Sequence, residues 1–157
     1  MIVVNNDLLK TPIHIIAHQV NCQGVMGGGV AKQIKQKYPT VYEIYKARCC
    51  ESHEKLLGGY VAVWSQDRSQ LIVNVFGQNN FGRDKVYTDY KALENGLSNF
   101  IKDYRNSFNI MPEVQIPIAI PYKIGCGLAG GDWNLVSTIL EKLEIEYNII
   151  FIAYKLN

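Results

Sequence analysis

Apolar residues in this chain fall into two patterns. Short runs at residues 2–4, 13–20, 60–64, 71–76, 114–120 and 148–153 predict six strands. Between them apolar positions recur every three or four residues, the repeat of a helix face. Residues 30–38 read as a helix that Pro39 stops. Residues 41–51 resume a helix, with Val41, Ile44 and Tyr45 on one stripe, until Gly58 and Gly59 break the pattern. Leu93, Leu97, Phe100, Ile101 and Tyr104 form the apolar face of a long helix over 90–104, and a last helix spans 133–143. The strands at 60–64 and 71–76 read as a pair joined by a polar turn at 65–69, and 79–84 is a polar loop. Strands alternate with helices, and several strands are apolar throughout. That combination predicts an α/β chain whose mixed, largely parallel central sheet is covered by helices on both faces.

Composition narrows the class. The 157 residues fit one domain, 1–157, and 48% hydrophobic residues supply a sizeable core. A net charge of +2, with both signs interspersed and no Lys/Arg block, does not predict a nucleic-acid-binding face. Cys22, Cys49, Cys50 and Cys126 lack metal-finger spacing, and Cys49 and Cys50 are adjacent, so reduced thiols in a cytoplasmic protein are expected. The chain opens without a basic or long apolar leader, and no run approaches the ~18 residues of a membrane span. No His/Asp/Glu cluster has ligand spacing, so neither a metal nor a cofactor is implied. A monomer is expected.

Two glycine-rich loops carry the candidate chemistry. One, residues 24–30, follows the strand at 13–20 and contains Gly27, Gly28 and Gly29 just before the helix that opens at Val30. The other, residues 121–132, follows the strand at 114–120 and contains Ile124, Gly125, Cys126, Gly127, Leu128, Gly130 and Gly131. Glycines between a strand and a helix N-terminus leave bare N–H groups where the helix dipole is positive, a setting that favours phosphate. Three consecutive glycines exceed what a turn requires. The second loop lacks the Lys-Ser/Thr of a Walker loop and the acidic partner of a dinucleotide fingerprint. Two such loops suggest one ligand with several phosphates or riboses between them.

Single residues admit two readings each. Asp132 precedes the helix at 133 and is either its N-cap, which spacing favours, or a general acid/base or ribose acceptor. Asn21 is a turn residue or a group that holds a sugar hydroxyl. Asp7 caps a turn or accepts from an exocyclic amine such as that of adenine. Tyr154 and Leu156 end the last strand and are placed to flank a base. His18 reads as a core histidine, and no histidine neighbours Cys22 or Cys126 in sequence to activate a thiol.

In this order the residues resemble a macrodomain, the three-layer α/β/α fold that binds ADP-ribose. The likeness runs nearly end to end. Asp7-Leu8 is similar to the segment that holds adenine in that family. His18-Gln-Val-Asn21 with Met26-Gly-Gly-Gly-Val-Ala31 is similar to the loop on the distal ribose, which implies contacts from Gly27, Gly28, Gly29 and Val30. Pro121-Tyr-Lys-Ile-Gly-Cys-Gly-Leu128 resembles the loop that wraps the diphosphate, and Tyr154-Lys-Leu156 an adenine-side strand. The Ile-Gly-Cys-Gly-Leu wording resembles a branch of terminal ADP-ribose glycohydrolases, antitoxins that strip ADP-ribose from DNA bases, and ADP-ribose-1''-phosphate phosphatases. The resemblance implies a chain that binds ADP-ribose, or ADP-ribosylated protein or nucleic acid, and hydrolyses a substituent from the distal ribose, or else reads ADP-ribose without turnover. Two positions depart from the branch. Where its glycohydrolases carry a lysine, this chain reads Phe76-Gly-Gln78-Asn79, and Lys85 comes later. Where they carry the acid, this chain has Ala129, and the nearest carboxylate is Asp132. A water-mediated route with Asp132 as acid or base, Asn21 positioning the ribose and Gln78 beside it is what the resemblance leaves.

Overall fold

In the computed structural model, which describes residues 1–51 and 55–156, six strands form one sheet. They are β1 (Ile2–Asn5), β2 (Ile15–Val20), β3 (Tyr60–Trp64), β4 (Leu71–Phe76), β5 (Ile116–Pro121) and β6 (Ile149–Lys155). The order across the sheet is β1-β6-β5-β2-β4-β3, and every neighbouring pair is parallel except β3 with β4. Helices α1 (Gly29–Lys37) and α2 (Pro39–Glu51) cover one face, and α3 (Tyr90–Ser107) and α4 (Trp133–Tyr147) the other. The mixed, largely parallel three-layer arrangement is the one expected.

The unbroken apolar runs are explained by burial on both sides. In β2, Ile15 and Ala17 enter the core under α3 and α4, while Ile16 and Val20 enter the core under α1 and α2. In β4, Leu71, Val73 and Val75 face the first core, and Ile72 and Phe76 the second. A strand buried on both faces has no polar side to alternate with.

Several boundaries differ from the sequence pattern for identifiable reasons. β5 begins at Ile116, because Val114 is half exposed and its N–H closes a turn onto the Met111 carbonyl. Pro39 opens α2 as well as ending α1; at a first helical position its missing N–H leaves nothing unpaired. Helix α4 continues to Tyr147, where Asn148 adopts a left-handed φ of 50° and ends it. A 3-10 turn at Leu8–Lys10, which no apolar repeat signalled, is capped by Asp7.

Two polar side chains sit inside the α1–α2 core. His18 of β2 and Asn74 of β4 are partners across the parallel pair. Asn74 donates its amide to the Val61 carbonyl at 3.0 Å, so its oxygen faces His18 Nε2 at 2.6 Å and the ring proton belongs on Nε2. Burial lowers the His18 pKa from 6.5 to about 4, against the opposing pull of the Asn74 hydrogen bond.

This predicts a pH dependence of stability. The unfolded chain takes up a proton on His18 near pH 6.5, whereas the folded chain resists it down to about pH 4. The contribution of neutral His18 is therefore complete above pH 6.5 and is lost as the pH falls towards 4. Urea unfolding should show a loss on the order of 3 kcal/mol over that window. His18→Gln should flatten the upper part of it, where few carboxylates titrate. A His18→Gln profile as steep as that of the wild type would show that His18 is not its source.

Candidate functional site

Strands β5, β2 and β4 are neighbours, run the same way and end at one edge of the sheet. Three loops leave that edge: residues 21–28 after β2, 77–89 after β4 and 122–132 after β5. Together they enclose a cavity of about 480 Å³. A second hollow of about 440 Å³ adjoins it, and the two share Val30, Pro121, Tyr122 and Lys123.

The first loop is folded by Asn21. Its Oδ1 accepts from Gln23 N at 2.9 Å and, at 3.4 Å, from Val25 N; its Nδ2 donates to the Val25 carbonyl at 2.8 Å. The buried Tyr45 hydroxyl donates to the Asn21 main-chain oxygen at 2.8 Å. Asn21 thus lies on the cavity wall with most of its amide engaged in shaping the turn. Among the described residues no protein acceptor meets the N–H groups of Gly27, Gly28 and Gly29. Gly29 starts α1 at a φ of 57°, so these groups sit at the positive end of the helix dipole. A Cβ on Gly28 would lie 2.7 Å from Leu128 Cδ1, which shows how closely the two glycine loops approach.

The second loop turns through left-handed residues at Lys123, Gly125 and Gly130. Its hydrogen bonds run from Cys126 N to Lys123 O, Gly130 N to Gly127 O and Gly131 N to Gly125 O. The N–H groups of Gly125, Gly127 and Leu128 have no protein acceptor among the described residues, and these three residues line the cavity with buried Ile124. Such groups suit an anion. Two expected site residues do not reach the wall. Cys126 packs against the α3–α4 core, and its thiol is held up by burial first and by the Asp132 charge second. Asp132 caps α4, Oδ1 accepting from Asn134 N at 2.8 Å, as helix N-cap preference favours.

The third loop brings Gln78, Phe81, Gly82 and Arg83 to the cavity. The Gln78 amide accepts from Gln19 Nε2 at 2.9 Å and donates to the Asn80 carbonyl at 2.9 Å, so it too is engaged within the protein. Lys85 is not on the wall; its ammonium lies 5.2 Å from the Tyr87 ring centre. Among the described residues, Arg83 and Lys123 are the cations lining the main cavity, and no carboxylate lines it. Sequence reasoning passed over Gln19, Phe81 and Arg83. A polar residue at the end of a parallel strand was a usable signal for Gln19; a loop without periodicity held none for the other two.

The adjoining hollow gathers Asp7, Leu8, Tyr154 and Leu156, which are far apart in sequence. Asp7 Oδ1 accepts from Leu9 N at 3.0 Å, and the Tyr154 hydroxyl accepts from Thr11 Oγ1 at 2.6 Å. Both readings of Asp7 thus remain compatible with its place: it caps the turn and it lines the hollow. Among the described residues no three His, Cys, Asp or Glu side chains gather as a metal site.

The Macro domain family model matches residues 17–140. An ADP-ribose 1''-phosphate phosphatase of Scheffersomyces stipitis is 30% identical over 95% of this chain and 98% of its own length. A DNA ADP-ribosyl glycohydrolase of Mycobacterium bovis is 31% identical over 83% of this chain, which spans 34% of that longer protein. The solved structure of Thermosipho africanus DarTG in complex with ADP-ribose superposes with a TM-score of 0.76 at 21% identity, covering 97% of this chain and 40% of that one. No helix among the described residues is long and apolar enough to cross a membrane.

The second loop generates a paired test. A Cβ on Gly131 would stand 2.5 Å from the Gly125 carbonyl oxygen, a backbone atom fixed by the turn, whereas a Cβ on Gly127 meets nothing within 4 Å. Gly131→Ala should therefore destabilise by roughly 1–3 kcal/mol, and Gly127→Ala by less than about 0.5 kcal/mol. Thermal melts compare the two directly, and equal shifts would contradict this loop conformation.

Proposed function

The chain belongs to the Macro domain family, and on that footing we propose that it binds ADP-ribose and hydrolyses a substituent from the distal ribose. The observation that carries this is the continuity of two hollows with complementary chemistry. The smaller offers Asp7 to an adenine amine, with Tyr154 and Leu156 beside the base. The larger offers bare N–H groups from both glycine loops to a diphosphate, with Lys123 where the two hollows meet. Beyond it, Asn21 and Gln78 border the space left for the distal ribose. The phosphatase named above, similar over nearly its full length, supports a substituent on that ribose as the group removed. Four free thiols suit a reducing compartment, and the cytoplasm is the proposed location.

Asp132 is the proposed acid or base. It sits at the base of the second loop, near enough for its charge to act on the Cys126 thiol, although it does not border the cavity. That last fact, with a wall that carries no carboxylate among the described residues and with Gln78 and Asn79 where a lysine was expected, favours a second reading: a module that binds ADP-ribosylated partners without turnover.

Two measurements test these readings. Calorimetry should show ADP-ribose binding in the micromolar range, about −8 kcal/mol or weaker. Gly127→Glu should abolish it while leaving the fold intact, since space is open there and the new carboxylate would face the phosphates. Unchanged affinity would refute the assignment of this loop. For turnover, the protein is incubated with glutamate-, thymidine- and guanosine-linked ADP-ribose and with ADP-ribose-1''-phosphate, and free ADP-ribose is followed. Asp132→Asn keeps a good helix cap and removes the charge, so a drop of roughly 10²-fold with the melting temperature preserved marks catalysis. Wild-type turnover untouched by this change removes Asp132 from the mechanism, and a wild type inert on all four substrates selects the reader.

A further inference from the structure

The side chain of Gln19 bridges two of the three loops at the ligand-facing edge, touching Gln78 and Thr88 of the third and Gly125 of the second. It leaves β2 on the α3–α4 side, and its Nε2 donates to Gln78 Oε1 and to Thr88 Oγ1, each at 2.9 Å. The Thr88 hydroxyl donates in turn to the Gly125 carbonyl at 2.5 Å. A hydroxyl has one proton, and a carbonyl only accepts, so Thr88 must receive from Gln19. Gln78 uses its own Nε2 on the Asn80 carbonyl, which leaves its oxygen for Gln19. Both partners therefore demand the amide nitrogen of Gln19, and the donor direction runs one way, from Gln19 through Thr88 to Gly125.

The opposite face of the amide shows what this orientation displaces. Gln19 Oε1 is buried without a partner among the described residues. It lies against Gly77 and Gly125, where a Cβ on Gly125 would stand 2.9 Å away and one on Gly77 would overlap it. A buried acceptor is left unmade so that the nitrogen can serve Thr88 and Gln78.

The consequence falls on Gly125, whose φ of 74° sets the course of the second loop. Its carbonyl takes two donors, Thr88 Oγ1 and Gly131 N at 2.9 Å, and neither donor borders the cavity. A carbonyl oxygen is the negative end of its peptide dipole and would repel a diphosphate. Tied on the far side, it leaves the N–H groups of Gly125, Gly127 and Leu128 as the polar surface of the loop.

We propose that Gln19 is a positioning residue that acts through Thr88 to hold the Gly125 carbonyl away from a bound diphosphate and to present the loop amides to it. The inference rests on the ligand proposed above and concerns how the loop is made selective for an anion.

The test uses Thr88→Val, Thr88→Ser and Gln19→Leu in the full chain, with ADP-ribose and AMP titrated by calorimetry and melting followed in parallel. Thr88→Val keeps the shape and removes the donor; Thr88→Ser restores the hydroxyl. Thr88→Val and Gln19→Leu should each weaken ADP-ribose about tenfold or more, and AMP, with one phosphate, by a smaller factor. Thr88→Ser should stay within about threefold of the wild type. Loss of melting temperature alone, with ADP-ribose affinity unchanged in Thr88→Val, overturns the inference, and so does an equal loss in Thr88→Ser. A wild type that takes no ADP-ribose overturns the proposed function instead, whereas a wild type that binds beside a Thr88→Val variant that binds equally overturns this inference alone.

Discussion

The burial of β2 on both faces, between β5 and β4, is the constraint from which the rest of the molecule follows. A strand so placed contributes mainly apolar side chains to two cores, and its polar residues, His18 and Gln19, fall in its second half. Parallel neighbours then end at the same edge, and every connection from them starts there. Helices α1 and α4 begin just beyond that edge, so their dipoles add positive potential where the loops expose N–H groups. The ligand cleft is in this sense a by-product of strand direction. Glycine completes it because the loops approach so closely, as at Gly28 and Leu128, that ordinary side chains would fill the gap.

The charge of the cleft follows the same logic. The main cavity has Arg83 and Lys123 as the cations on its wall among the described residues and no carboxylate. Fixed backbone N–H groups of the two glycine loops add to what these two cations supply. Such groups need little reorganisation when an anion arrives, whereas long side chains lose rotamer freedom on binding. A chain with a net charge of only +2 can thus present an anion site without a basic surface.

The sheet, the helices and both glycine loops were readable from residues alone, because burial and helix starts leave periodic and local marks. The run at 114–120 was read two residues too early because exposed Val114 looks like its buried neighbours in a linear pattern. Asp132 was readable as a cap from spacing, but its distance from the cavity depends on how the loop folds back, which no spacing records. Cys126 was read as part of the ligand loop, yet a chain that alternates through turns sends neighbouring side chains opposite ways. It went to the core while Gly125 and Gly127 went to the wall. Asn21 carried two readings, a turn residue or a partner for a sugar hydroxyl, and its amide is engaged in the turn at Val25; the engagement of Gln78 with Gln19 and Asn80 has no counterpart in the linear sequence.

The pairing of His18 with Asn74 has a bearing on how the sheet chooses its alignment. Where strands are apolar on both sides, sliding β2 along β4 by one residue still buries aliphatic groups, so hydrophobicity discriminates weakly between alignments. The imidazole and the amide do discriminate. Only the native pairing, Ile15 with Leu71 through Val20 with Phe76, sets His18 beside Asn74. Any slip strands two polar groups in hydrocarbon without partners. A pair that adds little to the depth of the native well thereby raises the energy of its nearest competitors, and the chain gains uniqueness from the two residues that look least at home in its core.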